Sequence, residues 1–516
     1  MTISGLVSFE RPNFTTSNGL DYSDVQTLPA RGVVVEAVDG AGNPVEATVA
    51  DADGRYSLAV PAGQDVQIRA LARTTEPAGS DADWDVAVTD NTNGRAVYAI
   101  QGSLESSGSA DSTRDLNAPL GWGGTSYTGT RASAPFAILD GAYQAIQTVV
   151  DVDSDAVLPP VEMRWSVNNR PAQGDREQGE IGTSSYQTRF ENNVPDRAVF
   201  ILGDADNDTD EFDTHVIVHE WGHYFEDQMS RSDSIGGPHS LDSLLDARVA
   251  LGEGFGNALS AIVLGDPVYR DSNGEDQRFG FGFSLERQPT SNPGWFKEFS
   301  VQSILYDIAD AEADTDDTLS EGFGPIYRAM TDPDYINVDA FTTIFALSDF
   351  IKSNTPSISA GVDALLAREN INGTGILGTG ETNNAGVAES LPLFIDVALG
   401  STVNFCSVDD ADPGGTLANR TGKRQYLRFT LPAQQAVTLT MTRTSGPTGS
   451  DPDFFVFKGE PGDLIFLSGR SGDTDSEIAT GTLDADTYLV DAFSANNTGE
   501  NSNVAPGDFC YDFTVN

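Results

Sequence analysis

The sequence predicts a multidomain α+β protein: a β-sandwich, then a domain of mixed sheet plus helices, then a second β-sandwich. Three observations predict it. Short alternating apolar runs separated by turn residues fill residues 1–101. Helical periodicity dominates from Leu241 to about Leu366. Alternation returns from residue 397 to the end. The expected domains are therefore 1–101, 102–396 and 397–516.

In the first domain, Gly32 to Val38 is apolar and β-branched, and Gly40-Ala41-Gly42-Asn43-Pro44 is a turn. Val45 to Ala50 alternates, Asp53-Gly54 closes a hairpin, and Tyr56 to Val60 and Val66 to Ala72 follow as strands. Gly102 to Pro119 is rich in Ser, Asp and Gly and reads as a linker or a long loop. A helix is expected from about Ala134 to Val150, with Pro135 near its first position and Phe136, Leu139, Tyr143 and Ile146 on one face. Strands are expected at Val161 to Val167 and Ala198 to Leu202, with an edge strand at Ile181 to Gln187.

The next segment carries the chemistry. All four histidines of the chain (His215, His219, His223 and His239) fall within 25 residues of one another. Asp206, Asp208 and Asp210 supply cap and first-turn residues, and Phe212, Val216 and Val218 supply apolar positions, so a helix is expected from about Asp210 to Met229. On it, His219 and His223 are four apart and share a face, so both imidazoles can meet one ion. Glu220, beside the first of them, can take a proton from a water on that ion. His-Glu-x-x-His on a helix is the metalloprotease pattern. His215 lies eight residues from His223, about 12 Å along a helix axis, and reads as structural.

A catalytic zinc needs a third protein ligand. The extended pattern with a third histidine fails, since Met229 stands six residues after His223 and no histidine follows at the required place. The best candidate is Glu253, at the start of a second helix marked by Phe255, Leu259 and Ile262; Asp242, Asp246 and His239 are its rivals. Asn257, one turn after Glu253, is placed to hold a ligand histidine by its other ring nitrogen. Two residues are candidates to stabilise an oxyanion: His239, in a Gly-Gly-Pro loop, and Tyr306, on a later helix.

His219, Glu220, His223 and the downstream Glu253 in its Gly-Glu-Gly-Phe setting resemble the gluzincin metallopeptidases, the group of the thermolysin-like and fungalysin-like enzymes. The resemblance is one of motifs in the middle of the chain. It implies a zincin-like domain with one catalytic zinc and a protein or peptide substrate. Asn257 departs from it, standing where thermolysin-like enzymes carry an aspartate. Asp51-Ala52-Asp53-Gly54-Arg55-Tyr56-Ser57-Leu58 is similar to the carboxypeptidase-regulatory, transthyretin-like β-sandwich. In the last domain, strands are expected at Gln425 to Leu431, Val437 to Thr442, Asp453 to Phe457, Thr487 to Phe493 and Phe509 to Val515. Their layout resembles the bacterial pre-peptidase C-terminal domain, which implies secretion beside a peptidase.

Composition narrows the rest. Net charge is −49, from 78 acidic and 29 basic residues, and the only lysines are Lys297, Lys352, Lys423 and Lys458. Such a surface repels nucleic acid and anionic lipid. It suits high ionic strength, where the Debye length falls to about 3 Å at 1 M salt, so a marine or halophilic source is expected. No apolar run approaches a bilayer span. Met1 to Gly5 lacks the regions of a signal peptide and leads straight into strand-like sequence, so a mature chain is expected. The two cysteines, Cys406 and Cys510, suggest a disulfide closing the last domain in an oxidising compartment. Asp204 to Asp210 is no EF-hand, because the sixth-position glycine is missing and His215 stands where the bidentate glutamate belongs. A calcium site of another kind, there or at Asp151, Asp153 and Asp155, stays open. The functional expectation is a secreted zinc metallopeptidase. Its alternatives are a surface-binding protein with an inactive zincin domain and a zinc hydrolase of a non-peptide amide. The sequence does not bear on oligomeric state.

Overall fold

The computed structural model describes residues 1–191, 194–286, 292–310, 318–459, 464–467 and 475–516. Two compact units emerge: Met1–Gln228 with Leu259–Ser284, and Met229–Ala258 with Leu285–Asn516.

In the first unit the long strand Thr2–Phe14 pairs antiparallel with Leu20–Pro29 and Arg55–Ala59. It also pairs in parallel with Ser112–Thr113 and Leu116–Ala118. The Ser- and Asp-rich segment expected to be a linker or a long loop is thus stitched into a sheet. Its polar composition hid this because pairing uses backbone groups that every residue except proline carries in full.

A second sheet runs in the order Ser185–Glu191, Val194–Ile201, Val161–Trp165, Asp85–Asp90, Asp65–Thr75, Val33–Val38 and Pro44–Val49. It is continuous across residue 101, where the sequence suggested a boundary. Its middle strands, Asp85–Asp90, Val161–Trp165 and Val194–Ile201, are parallel neighbours. Alternation is clean in Asp65–Thr75, where Val66, Ile68, Ala70, Ala72 and Thr74 are buried. Helix α1 (Ala134–Val152) lies on strands Asp65–Thr75 and Asp85–Asp90 and buries Phe136, Leu139, Ile146 and Val149. A two-pronged ion pair from Arg31 to Asp140, 2.7 and 2.6 Å, ties it down.

Helix α2 spans Thr214–Met229, so it starts four residues later than the sequence suggested. The preceding acids are not its cap. Asp204 and Asp208 pair in a small hairpin, Asp210 accepts a hydrogen bond from the Ser184 hydroxyl, and Asp213 accepts from Ser272. α2 packs closely on α1 at Gly141, where a Cβ would lie 3.0 Å from Ile217 Cγ2.

The second unit holds most of helix α3 (Ala247–Leu264), helix α4 (Glu298–Ala309) and the C-terminal strands. Five strands run Phe394–Asp396, Arg424–Leu431, Asp486–Ser494, Pro452–Lys458 and Leu464–Leu467; four more run Thr402–Ser407, Phe509–Val515, Gln435–Ser445 and Ser476–Leu483. Leu427, Phe454, Val456 and Val490 from the first sheet share one core with Leu439, Met441, Tyr511 and Phe513 from the second. All five strands expected here are present. Cys406 and Cys510 face each other in register and form a disulfide. Among the described residues, no helix is long and apolar enough to cross a membrane.

The disulfide joins residues 104 apart in sequence. Restricting so long a loop in the unfolded chain stabilises by about 2–4 kcal/mol. Urea unfolding of the C-terminal strands should therefore shift to lower concentration on reduction, by that free energy. Equal midpoints with and without reductant would contradict it.

Candidate metal centre

α2 presents His219 and His223 from one face, with their Nε2 atoms 3.1 Å apart and ring centroids 4.8 Å apart. His219 is buried and His223 half-buried. Two ring nitrogens this close must share a proton or a cation. Glu220 is also buried, and its Oε2 accepts a 2.7 Å hydrogen bond from the Tyr186 N–H. Tyr186 belongs to Ser185–Glu191, the last strand of its sheet, so Glu220 is pinned to a sheet edge. The Tyr186 hydroxyl donates to Asp227, about one helical turn beyond His223.

His215 turns elsewhere. Its Nε2 lies 3.2 Å from the Asp266 carbonyl, and its ring packs on Tyr269. Burial pushes its pKa down to about 4, so it is neutral at physiological pH.

On α3, Glu253 is buried. Gly254 beside it lets α3 approach α4, since a Cβ there would lie 2.5 Å from Val301 Cβ. Asn257 donates to the Gln302 side-chain oxygen at 3.0 Å. His239 stands between two carboxylates: its Nδ1 is 2.8 Å from Glu298 Oε2, and its Nε2 is 3.3 Å from Glu253 Oε2. Tyr306 is buried on α4, eight residues beyond Glu298 and so about 12 Å further along the axis. Asp246 is committed to Arg248 and Tyr426. His219 and His223 each offer a donor atom from α2, and Glu253 offers a carboxylate oxygen from α3.

Three residues that matter here escaped the sequence reading. Glu298 stands in the first turn of α4, where acids are common, Tyr186 acts through its backbone, and Asp271 lies 61 residues beyond Asp210 in the chain. Asp208, Asp210 and Asp271 also bring carboxylate oxygens within 4.8 Å of one another. Burial raises Asp208 to about 6, helped by the charges of Asp204 and Glu211. Burial and the charge of Asp208 raise Asp271 to about 7. Asp151, Asp153 and Asp155 form no such group among the described residues.

A family model described as the Mycolysin C-terminal domain matches residues 161–343. That segment holds His219, Glu220, His223, His239, Glu253 and Glu298, and the match marks it as peptidase-related. No curated protein matches the chain. Among solved structures, the pre-peptidase C-terminal domain of a Bacillus anthracis collagenase is 10% identical, with a TM-score of 0.18, over 24% of this chain and 94% of that one. The Aeromonas hydrophila lysozyme inhibitor PliG is 13% identical, with a TM-score of 0.15, over 24% and 97%. The surface-associated copper-binding protein CorA of Methylomicrobium album BG8 is 9% identical, with a TM-score of 0.17, over 24% and 98%.

The raised carboxylates have a consequence for stability. Between the unfolded value of about 3.9 and their folded values, the folded protein binds more protons than the unfolded chain, so their contribution falls as pH rises. In chelator-treated protein, Asp271→Asn should gain melting temperature relative to wild type as pH goes from about 5 to about 8. A difference that stays flat over this range would show that Asp271 does not titrate there.

Proposed function

We propose that this chain is a secreted zinc metallopeptidase in which His219, His223 and Glu253 hold the metal. The carrying observation is the pair of Nε2 atoms 3.1 Å apart on one face of α2, with Glu220 beside the first of them. Ligands at about 2.0–2.1 Å from a tetrahedral ion sit about 3.3 Å apart, so the pair fits zinc, and two imidazoles with one glutamate are a known catalytic donor set. The match to a domain of mycolysin, itself a zinc metallopeptidase, supports the same reading.

Zinc bound there would acidify water and polarise a carbonyl. Glu220 takes the proton from the attacking water and returns it to the leaving amine. The Tyr186 N–H fixes one carboxylate oxygen, which orients the base. Glu298 holds His239 by Nδ1 with its Nε2 3.3 Å from Glu253, which sets the ring next to the third proposed ligand as the candidate oxyanion donor. Ser185–Glu191, at the edge of its sheet, offers backbone groups for an extended substrate. Secretion is supported by the disulfide.

Glu220→Gln should keep about one zinc per chain by elemental analysis and lose about 10²–10⁴-fold in peptide turnover. Glu253→Ala should lose the zinc. Wild-type turnover in Glu220→Gln would refute the base, and a chain that takes up no zinc would favour a binding protein instead. The charge of −49 should also make melting temperature rise with salt between about 0.1 and 1 M, as screening relieves self-repulsion; no rise would count against a saline habitat.

A further inference from the structure

The hairpin after α3 carries a feature that catalysis does not use. Its second strand, Phe279–Ser284, reads Phe-Gly-Phe-Gly-Phe-Ser and pairs antiparallel with Val268–Asn273. Strand alternation puts the three phenylalanines on one face and the glycines on the other. Asn18 packs against the glycine face: a Cβ on Gly280 would lie 2.2 Å from its carbonyl oxygen, and one on Gly282 would lie 2.9 Å from its Nδ2. The phenyl face is open, with Phe279 66% and Phe281 44% exposed. Large phenylalanines side by side in water are costly, and such patches mark binding surfaces.

The rings form a row with a destination. Phe281 stacks on Phe283 at 6.3 Å and 11°, and Phe283 stacks on Tyr269 at 4.9 Å and 12°. Tyr269 meets the His219 ring edge to face at 6.3 Å. The row thus runs from exposed Phe281 inward through half-buried Phe283 to buried Tyr269 and His219, so its outer end lies three ring contacts from a proposed zinc ligand.

We propose that Phe281 and Phe283 form an aromatic subsite that takes a large apolar side chain of a peptide substrate, a few residues from the bond cleaved. The inference rests on the peptidase reading and names its substrate class. The occupant follows from this proximity: the exposed end of a ring row that ends on His219 is within reach of a chain bound for cleavage there, and flat apolar faces select an aromatic or long aliphatic side chain.

The test uses peptides identical except for phenylalanine or alanine, scanned through each of the positions flanking the cleaved bond. Wild type should prefer phenylalanine at one position, some residues from that bond, by about tenfold in kcat/KM, the order expected for burying one large apolar side chain. Phe281→Ser, and Phe279→Ser with Phe281→Ser, should reduce that ratio to within about twofold, because the platform is gone. Melting curves of these exposed variants check that the fold is kept. Cleavage with no such preference, or a preference that the double variant keeps, overturns the subsite and leaves the peptidase reading standing. Failure of wild type to cleave any of the peptides overturns both.

Discussion

The buried guanidinium of Arg248 fixes helix α3, and the helix fixes Glu253. Arg248 is almost wholly buried, in the first turn of α3. Asp246 grips it twice at 3.0 Å, Asp491 of the C-terminal sheet pairs with it at 3.1 Å, and the rings of Phe341 and Tyr426 lie 4.8 Å away. Tyr426 donates to Asp246 at 2.5 Å, and Arg424 shares Asp491 at 2.8 Å. Burial alone would raise the Asp246 pKa, yet the neighbouring Arg248 charge holds it below the usual value. Charges taken out of water cost several kcal/mol each unless closely paired, so this network permits one placement of the helix. The C-terminal sandwich is thereby bonded to the element that bears Glu253.

Around the histidine pair the same physics is used differently. Glu220 accepts from the Tyr186 N–H, and His239 is held between two carboxylates. Both are oriented by hydrogen bonds, which suits side chains that must exchange protons. His215, equally close in sequence, is desolvated and bonded to a carbonyl, and its titration is driven far below neutrality.

The acids before α2 show where sequence reasoning misled. Asp206, Asp208 and Asp210 look like a helix cap because caps favour aspartate. In the structure, Asp210 bonds to Ser184, and Asp208 and Asp210 face Asp271. A cap is a local device, whereas these contacts cross tens of residues. The linker at Gly102 to Pro119 misled for a related reason, since its short strands are held by backbone pairing with Thr2–Phe14.

The sequence by itself determined the elements. It set the strands of the C-terminal sheets, the helix that carries His219 and His223 on one face, and the glycine next to Glu253, because alternation and helical spacing are local consequences of backbone geometry. The tertiary structure alone decided which carboxylate His239 meets, which strand edge holds Glu220, and how far the central sheet continues. Those outcomes depend on which buried polar groups can satisfy one another across long loops, and a single sequence holds no local signal for that.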